Sequence, residues 1–255
     1  MKIVSLPNRL LSVVGLRVTK SGSAQKRLPV ETSDSDQRIF RYVRDNHLST
    51  STDERLFATI MACRHVVEQN IAGDFVECGV WRGGNSIIAA DVFKNLCSEK
   101  TVWLFDTFAG MTDPTDADVN YLGESAHRKF QERGRDAHNG WCYSPIEEVS
   151  ANFARAGLLH ERIKFVKGDV AQTLSQSESL PEKISVLRLD TDWYESTKVE
   201  LEMLYPRLSP GGILIIDDYG HWGGARKAVD EYFARTARPF LQYVDHTART
   251  GVKQA

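Results

Sequence analysis

The stretch DFVECGVWRGGNS, residues 74–86, decides the fold. Asp74–Cys78 reads as a strand, the glycines as a tight turn, and Ser86–Asn95 as a helix. A glycine turn between a first strand and a helix suggests a nucleotide or nucleoside cofactor. Read as G-x-G-x-x-G, Gly79 and Gly84 fit, but Trp81 stands where the middle glycine should be. That glycine lets backbone approach a pyrophosphate. A tryptophan there argues against NAD and FAD, and for a nucleoside cofactor without phosphates. S-adenosylmethionine meets that description and carries an ammonium, a carboxylate and a sulfonium. Glu77 suits the cationic end, and Gly79, Trp81, Gly83 and Ser86 complete the candidate cofactor turn.

Outward from the turn, helix and strand alternate. The helix Asp53–Gln69 puts Leu56, Ile60, Cys63 and Val67 on one face, with Thr52 or Asp53 as cap. Further strands read at Thr101–Phe105, Ile163–Val166, Ile184–Leu189 and Gly212–Ile216. Helices read at Pro145–Ala156, Ser196–Tyr205 and Gly224–Arg235, and a terminal strand pair at roughly 239–254. This order predicts an α/β fold, a mostly parallel sheet with helices on both faces. The later strands are short, continuous Ile/Leu/Val runs, as buried parallel strands require. Thr107–Ser144 is a long polar insert. Ligands of such sheets sit at the carboxyl ends of the strands, where this chain places acids and glycines. Asp106, followed by Thr107, can accept ribose hydroxyls, and Asp169, after Gly168, the adenine amine.

The sharpest constellation is DTDWYEST (190–197) with DDYGH (217–221). Asp190 and Asp192 are two apart and point the same way in extended chain. With neighbouring strands, Asp217 and Asp218 converge on the same patch. Several carboxylates in one cleft repel one another unless a cation neutralises them. All-oxygen ligands favour Mg²⁺, Mn²⁺ or Ca²⁺ over zinc or copper. Such an ion would acidify an alcohol, which is otherwise a poor nucleophile.

FVECGVWRGG (75–84), WLFDTFAGM (103–111), LRLDTDWYEST (187–197) and GGILIIDDYGHWGGARKAVDEYF (211–233) closely resemble the macrocin O-methyltransferase family. The resemblance implies a Rossmann-like class I methyltransferase, with a seven-stranded, mostly parallel sheet and an antiparallel last strand. It implies S-adenosylmethionine as methyl donor, a sugar hydroxyl of a natural product or surface glycan precursor as acceptor, and homo-oligomers. It also implies Asp190, Asp217 and Asp218 as metal ligands and Asp192 as general base, with Asp190 also near the cofactor. Thr50, Ser51 and Arg55 would close over the methionine carboxylate. The insert would be lid and acceptor loop, with His127, His138, Trp141 and Tyr143 as candidates for the sugar, and Tyr194 and His221 beside them. A catechol or other small hydroxyl as acceptor, or a non-catalytic scaffold that binds the cofactor in polysaccharide assembly, are the alternatives.

A chain of 255 residues, 42% hydrophobic and 26% charged, with net charge −2, is expected to be an ordinary globular protein that neither recruits nucleic acid nor spans a membrane. Four scattered cysteines, without C-x-x-C, indicate reduced thiols and a cytoplasmic location. Residues 1–35 read as a basic arm and 36–255 as the catalytic domain. The first 30 residues carry Lys2, Arg9, Arg17, Lys20, Lys26 and Arg27 and no acid, which makes the arm a candidate for weak contact with a membrane surface.

Overall fold

The computed structural model describes residues 28–175 and 180–254. Asp34–Ala255 forms a unit of its own. The basic stretch 1–27 lies outside the described residues, so its expected membrane contact does too. The first helix, α1 (Asp34–Asp45), starts inside the expected arm, with Asp34 and Asp36 placed against its positive N-terminus. Next, α2 (Asp53–Glu68) is capped by Thr52, whose hydroxyl accepts from Arg55 N at 3.3 Å. Leu56, Ile60 and Cys63 are buried on its face as expected, but Val66 is buried in place of Val67. Cys63 plus three, not plus four, continues this stripe.

The sheet strands are β1 (Asp74–Cys78), β2 (Val102–Asp106), β3 (Ile163–Lys167), β4 (Ile184–Leu189), β5 (Leu208–Ile216), β6 (Gln242–Tyr243) and β7 (Arg249–Val252). They form a seven-stranded sheet ordered β3-β2-β1-β4-β5-β7-β6. The first five pair in parallel, and β7 runs antiparallel to both β5 and β6. The other helices are α3 (Gly84–Asn95), α4 (Ala126–Arg133), α5 (Ile146–Arg155), α6 (Val170–Thr173), α7 (Tyr194–Leu204) and α8 (Gly223–Phe233). The mostly parallel sheet read from the chain is therefore present. β5 begins earlier than expected, because a register shift against β4 absorbs Ser209–Gly212. All of β4 is buried, as a central parallel strand must be.

Register brings the acids together. Cys78 pairs with Leu189 and with Phe105, and Leu189 pairs with Ile216. The next residue on each strand is therefore at one level: Gly79, Asp106, Asp190 and Asp217. Backbone bonds extend the ladder there, with Gly79 N donating to Phe105 O, Asp190 N to Cys78 O and Asp217 N to Leu189 O. Gly79 has φ +81°, and a Cβ on it would lie 2.0 Å from Asp190 O. Only glycine lets the turn pass this close to the end of β4.

Among the described residues, no helix is long and apolar enough to cross a membrane. The insert is fastened to the domain rather than looped out. Asp118 is fully buried, and its carboxylate accepts from Tyr194 N at 2.8 Å and Thr115 N at 2.7 Å. Asn120 bridges to Trp222.

Gly79→Ala should destabilise the fold by roughly 2–3 kcal/mol in denaturant unfolding, through positive φ and backbone collision together. A loss under about 0.5 kcal/mol, the range of an ordinary surface change, would show that the two turns are not in contact.

Candidate active site

A cleft of about 280 Å³ opens at the carboxyl ends of the strands. Gly79, Trp81, Asp106, Thr107, Gly168 and Asp169 line it. Trp141, Trp222, Lys129, His221, Asp190, Asp192, Asp217, Asp218, Thr50 and Arg55 line it too. Trp81 sits at φ +47°, so the tryptophan in place of the middle glycine occupies the same left-handed turn. Asp106 holds that turn: Oδ2 accepts from Val80 N at 2.6 Å and Trp81 N at 3.1 Å, and Oδ1 from Phe108 N at 2.7 Å. Burial raises its pKa and these amides oppose the rise. Thr107 Oγ1 also reaches Oδ1, at 3.4 Å, and lies 2.7 Å from Gly110 O. Asp169 caps α6 through Ala171 N at 2.9 Å while still facing the cleft.

Below the acids lies a buried ion cluster. Arg188 is fully buried on β4 and donates to Glu77 Oε1 at 2.9 Å, to Asp190 Oδ2 at 2.5 Å and to Asp217 Oδ1. Arg55 takes the other Asp217 oxygen and Asp245 Oδ2, the latter at 2.9 Å. Burial alone would lower the pKa of Arg188, but Asp190, Asp217 and Glu77 outweigh it and raise it. Burial pushes Glu77 up to about 7 despite Arg188.

Asp190, Asp192 and Asp218 each offer an oxygen within 4.8 Å of the others. Burial pushes Asp192 up to about 7, and drives Asp190 and Asp218 well above the usual carboxylate range. Asp192 and Asp218 lie close enough that two negative charges there would repel, which opposes ionisation of both at once. Asp218 Oδ2 is buried with no hydrogen-bond partner among the described residues. Carboxylates crowded in this way, with an orphaned oxygen, fit a hard divalent cation.

Some expected site residues stand elsewhere. Asp217 lines the cleft but is outside the Asp190, Asp192 and Asp218 trio, and both its oxygens face arginines. Glu77, Ser86 and Ser51 lie behind the cleft wall: Ser86 donates to Glu77, and Ser51 Oγ accepts from Arg188 and Asn85, each at 3.2 Å. Gly83 faces α5, where a Cβ would meet Val149 and Phe153. Tyr194 turns to Glu231, 2.7 Å away, since α7 starts there and directs Trp193 inward instead. His138 stacks on Tyr143 at 4.0 Å, away from the cleft, and His127 neighbours Asp116 at 3.4 Å. Trp141 and His221 do line the cleft.

The chain reading missed several contributors. Trp222 packs with Trp141 and Trp193 in one cluster, at centroid distances of 6.0 and 5.0 Å. Its position directly after His221 was the available signal. Lys129 places its ammonium 3.9 Å over the Trp141 ring. Asp118 and the fully buried Glu200 gave no local signal.

The family model described as Macrocin-O-methyltransferase (TylF) matches residues 23–252. The chain belongs to the macrocin O-methyltransferase family. It is 40% identical over 171 residues to the 8-demethyl-8-(2,3-dimethoxy-alpha-L-rhamnosyl)-tetracenomycin-C 4'-O-methyltransferase of Streptomyces olivaceus, covering 67% of this chain and 61% of that one. It is 36% identical to the demethyldecarbamoylnovobiocin O-methyltransferase of Streptomyces niveus, covering 67% and 62%. The matched region thus spans less than two thirds of these curated relatives' length. The solved O-methyltransferase NovP superposes with TM-score 0.71 at 31% identity, covering 82% of this chain and 83% of that one. The fold is that of the family's class I methyltransferases.

Burial pushes the Glu200 carboxyl up to about 8 from an ordinary 4.5. The folded chain then holds a proton that the unfolded chain releases, so this contribution to stability is lost as pH rises between those values. Glu200→Gln should melt increasingly above the wild type from pH 5 to pH 9. A difference in melting temperature independent of pH would mean that Glu200 is ionised in the fold.

Proposed function

We propose that the protein is an S-adenosylmethionine-dependent, Mg²⁺-dependent O-methyltransferase acting on a sugar hydroxyl of a glycosylated natural product. The observation that carries this reading is the carboxylate trio Asp190, Asp192 and Asp218, which lines one cleft together with Gly79 and Trp81 of the glycine turn and with Trp141 and Trp222. The Streptomyces olivaceus relative, named for a rhamnosyl tetracenomycin, supports the sugar.

S-adenosylmethionine would supply the electrophilic methyl group, and a divalent cation would lower the pKa of the acceptor hydroxyl. Asp190 and Asp218 would hold the cation, in place of the set that included Asp217. Asp217 instead anchors Arg55 and Arg188. Asp192 takes the hydroxyl proton on its carboxylate, from a position beside Asp190 and Asp218 on the wall of the cleft. Asp106 and Thr107 receive the ribose, Asp169 the adenine amine. Trp141 and Trp222 offer apolar faces to a sugar ring, with Lys129 and His221 as hydrogen-bond donors at its rim. The fastened insert keeps water from the reacting oxygens and fixes their approach, and such positioning supplies much of the rate.

Asp192→Asn should lower methyl transfer by about 10³-fold, the scale of a lost general base, while S-adenosylhomocysteine binding by calorimetry stays within about twofold. Retained turnover would remove Asp192 from the proton-accepting role. EDTA should silence transfer and Mg²⁺ restore it; full activity in chelator would refute the metal. Transfer to catechols but to no glycoside would sink the sugar acceptor.

A further inference from the structure

Asp192 has φ +71°, in the left-handed region that non-glycine residues rarely adopt. Trp193 N donates to Thr191 O at 2.9 Å, so the chain closes a three-residue turn around Asp192. A γ-turn of this hand is rare and strained, and persists only where its surroundings hold it. The backbone before it is fixed by Asp190 N donating to Cys78 O, and the Trp193 indole beyond it by Thr112 O at 3.0 Å. Between them, the Thr191 hydroxyl points inward and lies 2.8 Å from both Ser196 Oγ and Glu200 Oε1.

Glu200 projects from α7 and is fully buried, next to Leu201 and Leu204 of the apolar core. Its second oxygen, Oε2, has no hydrogen-bond partner among the described residues. An apolar residue would pack this position without that penalty. What the carboxyl adds is an acceptor for Thr191, in the middle of the segment that carries Asp190 and Asp192.

We propose that Glu200 is a positioning residue: through Thr191 it holds the 190–192 turn so that the Asp190 and Asp192 carboxyls face Asp218. Glu200 touches neither cofactor nor acceptor. Its kinetic consequence rests on the methyltransferase reading, but its structural consequence does not.

The test compares Glu200→Leu, Glu200→Gln and Thr191→Val. In a crystal structure of Glu200→Leu, Asp192 should leave the left-handed region and its carboxyl should move away from Asp218. In turnover assays kcat should fall roughly 10- to 100-fold, the effect of a reacting group misplaced by about 1 Å, with both KM values within about twofold. Glu200→Gln keeps an acceptor for Thr191 and should recover kcat to within about threefold. Thr191→Val removes the same bond from the other side, should show the same pattern, and decides the matter if Glu200→Leu does not fold. An unmoved Asp192 in the leucine variant, or in Thr191→Val in its place, would overturn the proposal. So would a glutamine variant as impaired as the leucine one. If the wild type transfers no methyl group, the functional reading falls, and the position of Asp192 in the crystals still decides the role of Glu200.

Discussion

Arg188 is a guanidinium removed from water, and the carboxyl edge of the sheet is organised around it. It projects from the central strand β4 and joins Glu77 of β1, Asp190 at its own strand end and Asp217 beyond β5. Stripping water from such a group costs several kcal/mol, and only well-placed partners return it. Removing one partner of such a cluster typically costs about 3–5 kcal/mol, because the other charge is stranded. The three strand ends are thereby held together by electrostatics as well as by the ladder. The same arrangement is incomplete in charge. Arg188 and Arg55 are shared among Glu77, Asp190, Asp217 and Asp245, and among the described residues Asp192 and Asp218 form no ion pair, with Lys129 acting on Asp192 from the cleft wall. The edge either keeps protons there or takes up a metal.

The tryptophan wall follows from how the insert is fastened. Asp118 occupies the N-terminal end of α7, where it accepts Tyr194 N, and a Cβ on Gly224 would strike its Oδ1 at 1.8 Å. The insert therefore sits against the starts of both α7 and α8. That contact places Trp141 of the insert beside Trp193 and Trp222, the residues that precede those helices. One wall of the cleft is thus built from helix entrances and a buried aspartate, well before any acceptor arrives.

Much of this was legible in the chain. β1 and β4 have the bounds that their apolar runs suggest, and the acids at the strand ends meet because parallel strands share a register. What escaped depended on direction. Asp217 and Asp218 lie in a bend just past the end of β5, where Asp217 turns to the arginines and Asp218 towards Asp190 and Asp192, although they read as one pair. A helix turns about 100° per residue, so starting α7 at Tyr194 sends that ring outward and leaves Trp193 inward. Ser86 and Glu77 were rightly placed near the turn but serve the ion cluster behind it. Asp118, Lys129 and Glu200 act across long sequence separations, and no local pattern marks such residues.

Anomalous diffraction from crystals grown with Mn²⁺ and S-adenosylhomocysteine tests the account most directly. The charge imbalance at the sheet edge predicts a manganese peak within ligand distance of Asp190 and Asp218, with Asp217 still held by Arg188. A carboxylate cluster without anomalous signal at saturating Mn²⁺, or a peak remote from both residues, would contradict it.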